Sequence, residues 1–176
     1  VYYAATAFES RQCRGATVIV VGGGNSAGQA AMFLSQGAAK VLLVIRGNDL
    51  SHSMSDYLSR RVLAQENIEL LSNTTIRRMI GNAVLEAVEL ENTKTGEHRT
   101  VETPAVFSMI GATPCTEWLP PEILRDKKGF IKTGALVSDA PLWVNAARSP
   151  VALETSLPGI FAVGAVRSGS VKRCAA

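Results

Sequence analysis

Gly22, Gly23 and Gly24 follow the β-branched run Val18-Ile19-Val20-Val21 without a break, and Asn25, Ser26 and Ala27 then open an alanine-rich run of helix formers. The spacing is G-x-G-x-x-A. In that pattern Gly22 permits a tight turn, Gly24 lets the main chain approach a pyrophosphate, and the small side chain of Ala27 lets the helix pack close to the strand. The first N–H groups of any helix lack partners and sit at the positive end of its dipole, so a phosphate is the ligand this arrangement suits. Two other readings share the residues. A glycine turn can serve packing alone, and Gly24-x-Ser26-x-Gly28 has the spacing of a nucleophile elbow, which also sits between strand and helix. A hydrolase, however, leaves the triple glycine unexplained.

The end of the next apolar run bears on which nucleotide is held. Sites that choose NAD carry an acidic residue about 20 residues on, where it accepts from the ribose 2′-hydroxyl. Here "LLVIRGN" places Arg46 at that point, and a guanidinium suits a 2′-phosphate. The plainer alternative is that Arg46 closes a strand. No other side chain competes for a chemical role. His52 and His98 stand without a cysteine or carboxylate at ligand spacing, and "SHSMS" around His52 reads as N-cap chemistry. Cys13, Cys115 and Cys174 are far apart, which gives neither a CxxC pair nor a disulfide framework. We assign no catalytic residue and no metal ligand.

These residues need a scaffold, and the pattern around them predicts one. Residues 17–21 form a buried strand, 26–36 a helix that stops at Gly37, and 41–45 a second all-apolar strand, as expected for parallel strands covered on both faces. A helix over 53–65 and a third strand at "NIELL" extend this βαβ unit. The period then changes. Stretches 74–81, 83–91 and 97–104 read as an antiparallel meander, with turns at Gly81-Asn82 and across 92–97, and 105–111 returns to a buried strand. The fold class is α/β: a Rossmann-like, three-layer nucleotide-binding domain with a three-stranded antiparallel meander. We place its end near Thr113, where "ATPCTEWLPPEIL" begins a proline-rich exit. The expected division is a linker over 1–14, the nucleotide-binding domain over 15–112, and a second segment over 113–176.

Composition agrees with a folded chain. Of 176 residues, 47% are hydrophobic, and the net charge of +3 is scattered, so nucleic acid is not indicated as a partner. No apolar run approaches the ~20 residues a membrane helix requires, and the sequence reads as cytoplasmic. Both ends read as cut: the chain opens at Val1 and closes at "VRSGSVKRCAA", where a turn releases the start of a helix.

Four stretches together resemble a known family. "VIVVGGGNSAGQAAMFLSQ", "VFSMIGATPCTEWL", "GFIKT" and "TSLPGIFAVGAV" occur in the order and spacing of the low-molecular-weight thioredoxin reductases and their flavin-dependent pyridine nucleotide-disulfide oxidoreductase relatives. The resemblance implies a homodimeric enzyme in which NADPH reduces FAD and the flavin reduces a disulfide. FAD there sits on a domain whose two halves flank the NADPH domain. Gly22 to Ala27 would hold the NADPH pyrophosphate, Arg46 the 2′-phosphate, and Ile110 with Gly111 would line the cleft. Gly164, Ala165 and Val166 would lie in the second FAD half, of which 113–176 would be part; on this reading the first half would be missing from the sequence and the FAD site incomplete.

Three departures change what is implied. Ala5 and Phe8 occupy the positions of the redox cysteines, so no dithiol relay runs through this stretch and the electron acceptor is unknown. Arg46, Gly47 and Ser51 stand where the family has three basic residues, which weakens the expected preference for NADPH. Ala165 replaces an aspartate that accepts from a ribitol hydroxyl of FAD. That loss should cost about 1.5 to 3 kcal/mol, roughly tenfold to a hundredfold in affinity. Two functional readings follow: an NADPH-dependent flavoprotein oxidoreductase, or a catalytically silent NAD(P)-binding module.

Overall fold

The structure is a computed structural model that describes residues 1–170. The helix expected at the end of the sequence, and Cys174, lie outside the described residues. The chain divides into two compact units, Val1–Gly111 and a second that begins at Ala112.

In chain order the first unit contains α1 (Ala7–Gln12), β1 (Thr17–Val21), α2 (Asn25–Leu34), β2 (Lys40–Val44), α3 (Asp56–Ala64), β3 (Ile68–Leu71), β4 (Thr74–Gly81), β5 (Leu85–Asn92), β6 (His98–Glu102) and β7 (Val106–Ser108). Four strands pair in parallel in the order β3-β2-β1-β7, with Ile19 opposite both Leu42 and Val106. The other three form an antiparallel sheet, β4-β5-β6. Parallel strands must be covered on both faces, and their residues divide accordingly. Val18, Val20, Val41 and Leu43 pack with Ala27, Ala31 and Leu34 of α2 and Leu58 and Val62 of α3. Ile19, Leu42 and Val44 face the other way, against Val88, Leu90 and Val101 of the antiparallel sheet. The layers are therefore helix, parallel sheet and antiparallel sheet.

Several boundaries differ from the sequence reading for local reasons. The helix expected from 53 starts at Asp56, because Leu50 to Ser55 turn back toward the glycine loop. Ser55 is its N-cap by position, yet its side chain makes no capping bond. The strand expected from 83 starts at Leu85: at Gly81, with φ +159°, the Val84 carbonyl closes on the turn too tightly for any Cβ. The last strand is only Val106–Ser108. Residues 1–14 are more than a connector. Tyr2 N–H donates to the Val106 carbonyl, Ser108 N–H donates to the Tyr2 carbonyl, and the Tyr2 ring stacks on Phe107 at 5.2 Å. Behind it, α1 is closed by a capping box between Thr6 and Glu9.

The second unit has no named strand among its described residues. It holds a one-turn helix α4 (Pro141–Val144), 3-10 turns at Gly134–Val137 and Gly164–Val166, and isolated bridges such as Glu154 to Phe161. Its apolar clusters are small: Ile123, Ile131 and Ala162 in one, Val137, Ala140 and Trp143 in the other. Among the described residues of both units, no helix is long and apolar enough to cross a membrane.

Candidate nucleotide-binding cleft

A cleft of about 770 Å³ opens at the carboxyl ends of β1, β2 and β7. This is where ligands bind in open parallel sheets, since the loops that leave adjacent strands separate there. Gly22, Gly23, Gly24, Asn25 and Ser26 form one wall, Arg46 stands at the end of β2, and Ile110 and Gly111 form the wall beyond β7. Ala27 is fully buried beneath that floor.

Each glycine has a distinct task. Gly22 N–H donates to the Val44 carbonyl at 3.0 Å, and Met109 N–H donates to the Val21 carbonyl at 2.8 Å, which pins the turn between β2 and β7. With φ at +136° and the Met109 carbonyl oxygen 2.5 Å from where a Cβ would stand, residue 22 admits only glycine. Gly24 is different. It caps α2 with φ −88° and ψ 179°, a conformation open to any residue, and a Cβ there would meet nothing nearer than the Ser53 carbonyl at 3.7 Å. The fold itself leaves residue 24 free to carry a side chain. No side chain caps α2, so its first-turn N–H groups keep their hydrogen-bonding capacity for the cleft.

Charge on the walls points the same way. None of the lining residues is a carboxylate, and Arg46 is the one charged side chain among them. Among the described residues it makes no ion pair. An uncapped helix start and an unpaired guanidinium on one cleft favour an anion with two negative centres.

Sequence reasoning missed part of the lining. Ser53 Oγ donates to the Gly23 carbonyl at 2.9 Å, and Ser55 N–H donates to Asn25 Oδ1 at 2.8 Å. These bonds fasten the 50–55 turn to the glycine loop. Thr74, Thr75 and Ile76 also reach the cleft. After β3, Asn73 takes φ +51°, its N–H donates to the Gly47 carbonyl, and Thr74 N–H donates to the Ile45 carbonyl, so β4 starts across the sheet's carboxyl edge. The rule that sites lie at that edge could have found them; side-chain type could not.

The remaining candidates separate. Ser26 lines the cleft with neither histidine hydrogen-bonded to it, and His98 Nδ1 is 2.9 Å from Glu89 Oε1 instead. The elbow reading therefore lacks its base. Burial pushes the Cys13 thiol pKa up, with Glu9 adding to the effect, which makes it a poor nucleophile. Cys115 is exposed, and Phe8 is an exposed residue of α1. Gly164, Ala165 and Val166 belong to the second unit, as a 3-10 turn with Gly164 at φ +76° and Ala165 exposed. Ile131 N–H donates to the Val166 carbonyl at 3.0 Å.

The family model for pyridine nucleotide-disulphide oxidoreductases matches residues 2–176. The chain belongs to that family. Similar curated proteins include thioredoxin reductase of Eremothecium gossypii, 30% identical over 161 residues that cover 91% of this chain and 45% of the relative. Thioredoxin reductase of Schizosaccharomyces pombe is 32% identical over 155 residues, or 88% and 43% of the two chains. Among solved structures, Lactococcus lactis thioredoxin reductase superposes with a TM-score of 0.75 at 25% identity, covering 98% of this chain and 51% of that one. Thioredoxin reductase from Streptococcus pyogenes gives 0.68 at 29%, covering 94% and 48%. The chain spans less than half the length of these curated relatives. The α/β class expected from the sequence, a parallel sheet with a three-stranded antiparallel sheet, is the fold of these pyridine nucleotide-disulphide oxidoreductase neighbours.

Proposed function

We propose that the chain is the NADPH-binding part, with a portion of the FAD-binding part, of a thioredoxin reductase-like oxidoreductase. The observation that carries this reading is the cleft itself, with its uncapped helix start, its space above Gly24 and, among the described residues, Arg46 as its unpaired cation. The first-turn N–H groups of α2 would bind the pyrophosphate, Arg46 would bind the 2′-phosphate, and Ile110 with Gly111 would flank the nicotinamide end. When bound, the dinucleotide supplies a hydride from nicotinamide C4, which flavin N5 accepts in this class of chemistry. Ile110, 71% exposed, would offer that end an apolar wall.

The flavin side fits less well. At residues 164–166 the main chain is turned as Gly164 allows, but the Ala165 methyl offers no acceptor for a ribitol hydroxyl. That residue favours the second reading, a module that binds NAD(P) and is catalytically silent. With Ala5 half-buried and Phe8 exposed, both without sulfur, and with Cys13 buried, the reading routes no electrons through a dithiol in this stretch.

Calorimetry with NADPH and NADH tests the site. Gly24→Val should lower the thermal unfolding transition only modestly, because a Cβ has room there and the cost is that of a poorer N-cap. It should weaken both nucleotides by at least about a hundredfold, as two charge-assisted contacts to the pyrophosphate are pushed out of reach. Unchanged affinity would remove the phosphate from this turn.

A further inference from the structure

The sequence offers Arg46 as a lone cation for a 2′-phosphate, with Gly47 and Ser51 at the positions where the resemblance implies further basic residues. The fold brings another cation to the same loop from a distant part of the chain. Lys94 lies in the exposed turn between β5 and β6, and its Nζ donates to Asn48 Oδ1 at 2.6 Å across 46 residues of sequence. The approach is built rather than incidental. Asn92 Oδ1 accepts from Lys94 N–H at 3.0 Å and Thr95 N–H at 3.1 Å, which shapes the turn. Thr93 N–H and Oγ1 both donate to the Asn73 carbonyl, at 2.7 and 3.0 Å, and Asn73 N–H donates to the Gly47 carbonyl at 2.9 Å. A ladder of Gly47, Asn73 and Thr93 thus fixes the turn against the loop that follows Arg46.

The loop's own carboxylate neutralises neither cation. Asp49 Oδ1 accepts from Ser51 N–H at 2.8 Å and Ser51 Oγ at 2.6 Å. Among the described residues neither Arg46 nor Lys94 forms an ion pair. The Lys94 ammonium rests on a neutral amide oxygen, a weaker acceptor than a phosphate oxygen. An anion held by Arg46 two residues before Asn48 would draw Nζ from that amide.

We infer that Lys94 is a specificity-determining residue that, with Arg46, selects nucleotides phosphorylated on the adenosine ribose. The inference rests on the nucleotide reading of the cleft. It also revises the expectation of a weak NADPH preference, which counted only cations near Arg46 in sequence.

The test uses the chain with two probes, adenosine 2′,5′-bisphosphate and AMP, titrated by calorimetry at low salt into wild type, Lys94→Gln, Lys94→Arg and Arg46→Ala. Lys94→Gln keeps a donor for Asn48 and sits on an exposed turn, so the fold is retained. It should weaken the bisphosphate about threefold to tenfold, leave AMP unchanged, and be rescued by Lys94→Arg. If the bisphosphate is unaffected by Lys94→Gln while Arg46→Ala weakens it, Lys94 is only a tie and the inference falls while the nucleotide reading stands. Equal weakening of both probes would mean that Lys94 merely shapes the loop, and would also overturn it. Failure of wild type to bind NADPH, NADH or either probe would overturn both.

Discussion

The two units are held together by different physics. In the first, the stability lies in a continuous apolar sheet: Val18, Ile19, Val20, Leu42, Leu43, Val44 and Phe107 are fully buried. In the second, the apolar clusters are small and buried polar groups take over. Glu154 is fully buried and accepts from both Arg148 Nη atoms at 2.7 Å, from Gly159 N–H at 2.7 Å and from Val151 N–H at 3.1 Å. Arg148 lies 5.0 Å over the Trp143 ring, whose Nε1 donates to the Thr155 carbonyl. Ser156 Oγ donates to the Glu122 carbonyl at 2.6 Å and accepts from Leu124 N–H at 2.9 Å. A spread-out apolar core tolerates pH and surface change, whereas a few polar staples concentrate stability in named atoms.

That contrast can be broken experimentally, and both tryptophans, Trp118 and Trp143, lie in the second unit, so their emission reports on it alone. The largest effect is expected from Phe107→Ala, which should cost the first unit about 3 to 5 kcal/mol. Hydrogen exchange at the β1 amides should accelerate while the tryptophan-detected transition stays in place; a shared shift would mean that the units unfold as one. Ser156→Ala should cost about 1 to 3 kcal/mol, since it removes a buried hydroxyl that makes two hydrogen bonds. Here the tryptophan transition should move and the β1 amides should not. The smallest effect is the acid dependence near pH 4. The Arg148 guanidinium, with help from the Gly159 and Val151 amides, holds the Glu154 carboxyl down from its ordinary 4.5 to about 2. A carboxylate lowered on folding stabilises fully above 4.5, and its contribution fades as pH falls through 4.5 toward 2. Tryptophan-detected stability should be flat from pH 7 to about 5 and should decline below that in wild type. Glu154→Gln should begin lower and decline less steeply, keeping only the smaller part that comes from Asp126, whose carboxyl the Ser168 hydroxyl also holds below its ordinary range; a variant that keeps the full wild-type slope would place the titration elsewhere.

Legibility in the sequence follows the same division. β1 and β2 were readable because parallel strands buried on both faces must be unbroken apolar runs, and the glycine loop was readable because backbone conformation restricts residue type at Gly22. Tyr2 and α1 were read as linker, although "TAFE" from Thr6 to Glu9 carries the spacing of the capping box that closes the helix. Six helical residues are too few for periodicity. Lys94, Thr74 and Ser53 had no local signal at all: main-chain bonds between segments distant in sequence bring the first two to the cleft or its loop, and a side-chain bond to Gly23 brings the third. The second unit was least readable: its bridges are isolated and its staples depend on tertiary position.

Gly22 and Gly24 answer to different selective pressures. A mutation at Gly22 is punished by the Met109 carbonyl whatever the protein does, so a lineage would retain that glycine merely to fold. Gly24 meets no such neighbour, and a lineage released from holding a ligand could let it drift to serine, at least as good a helix cap, without loss of structure. Of the two glycines, the second is the one whose persistence records use.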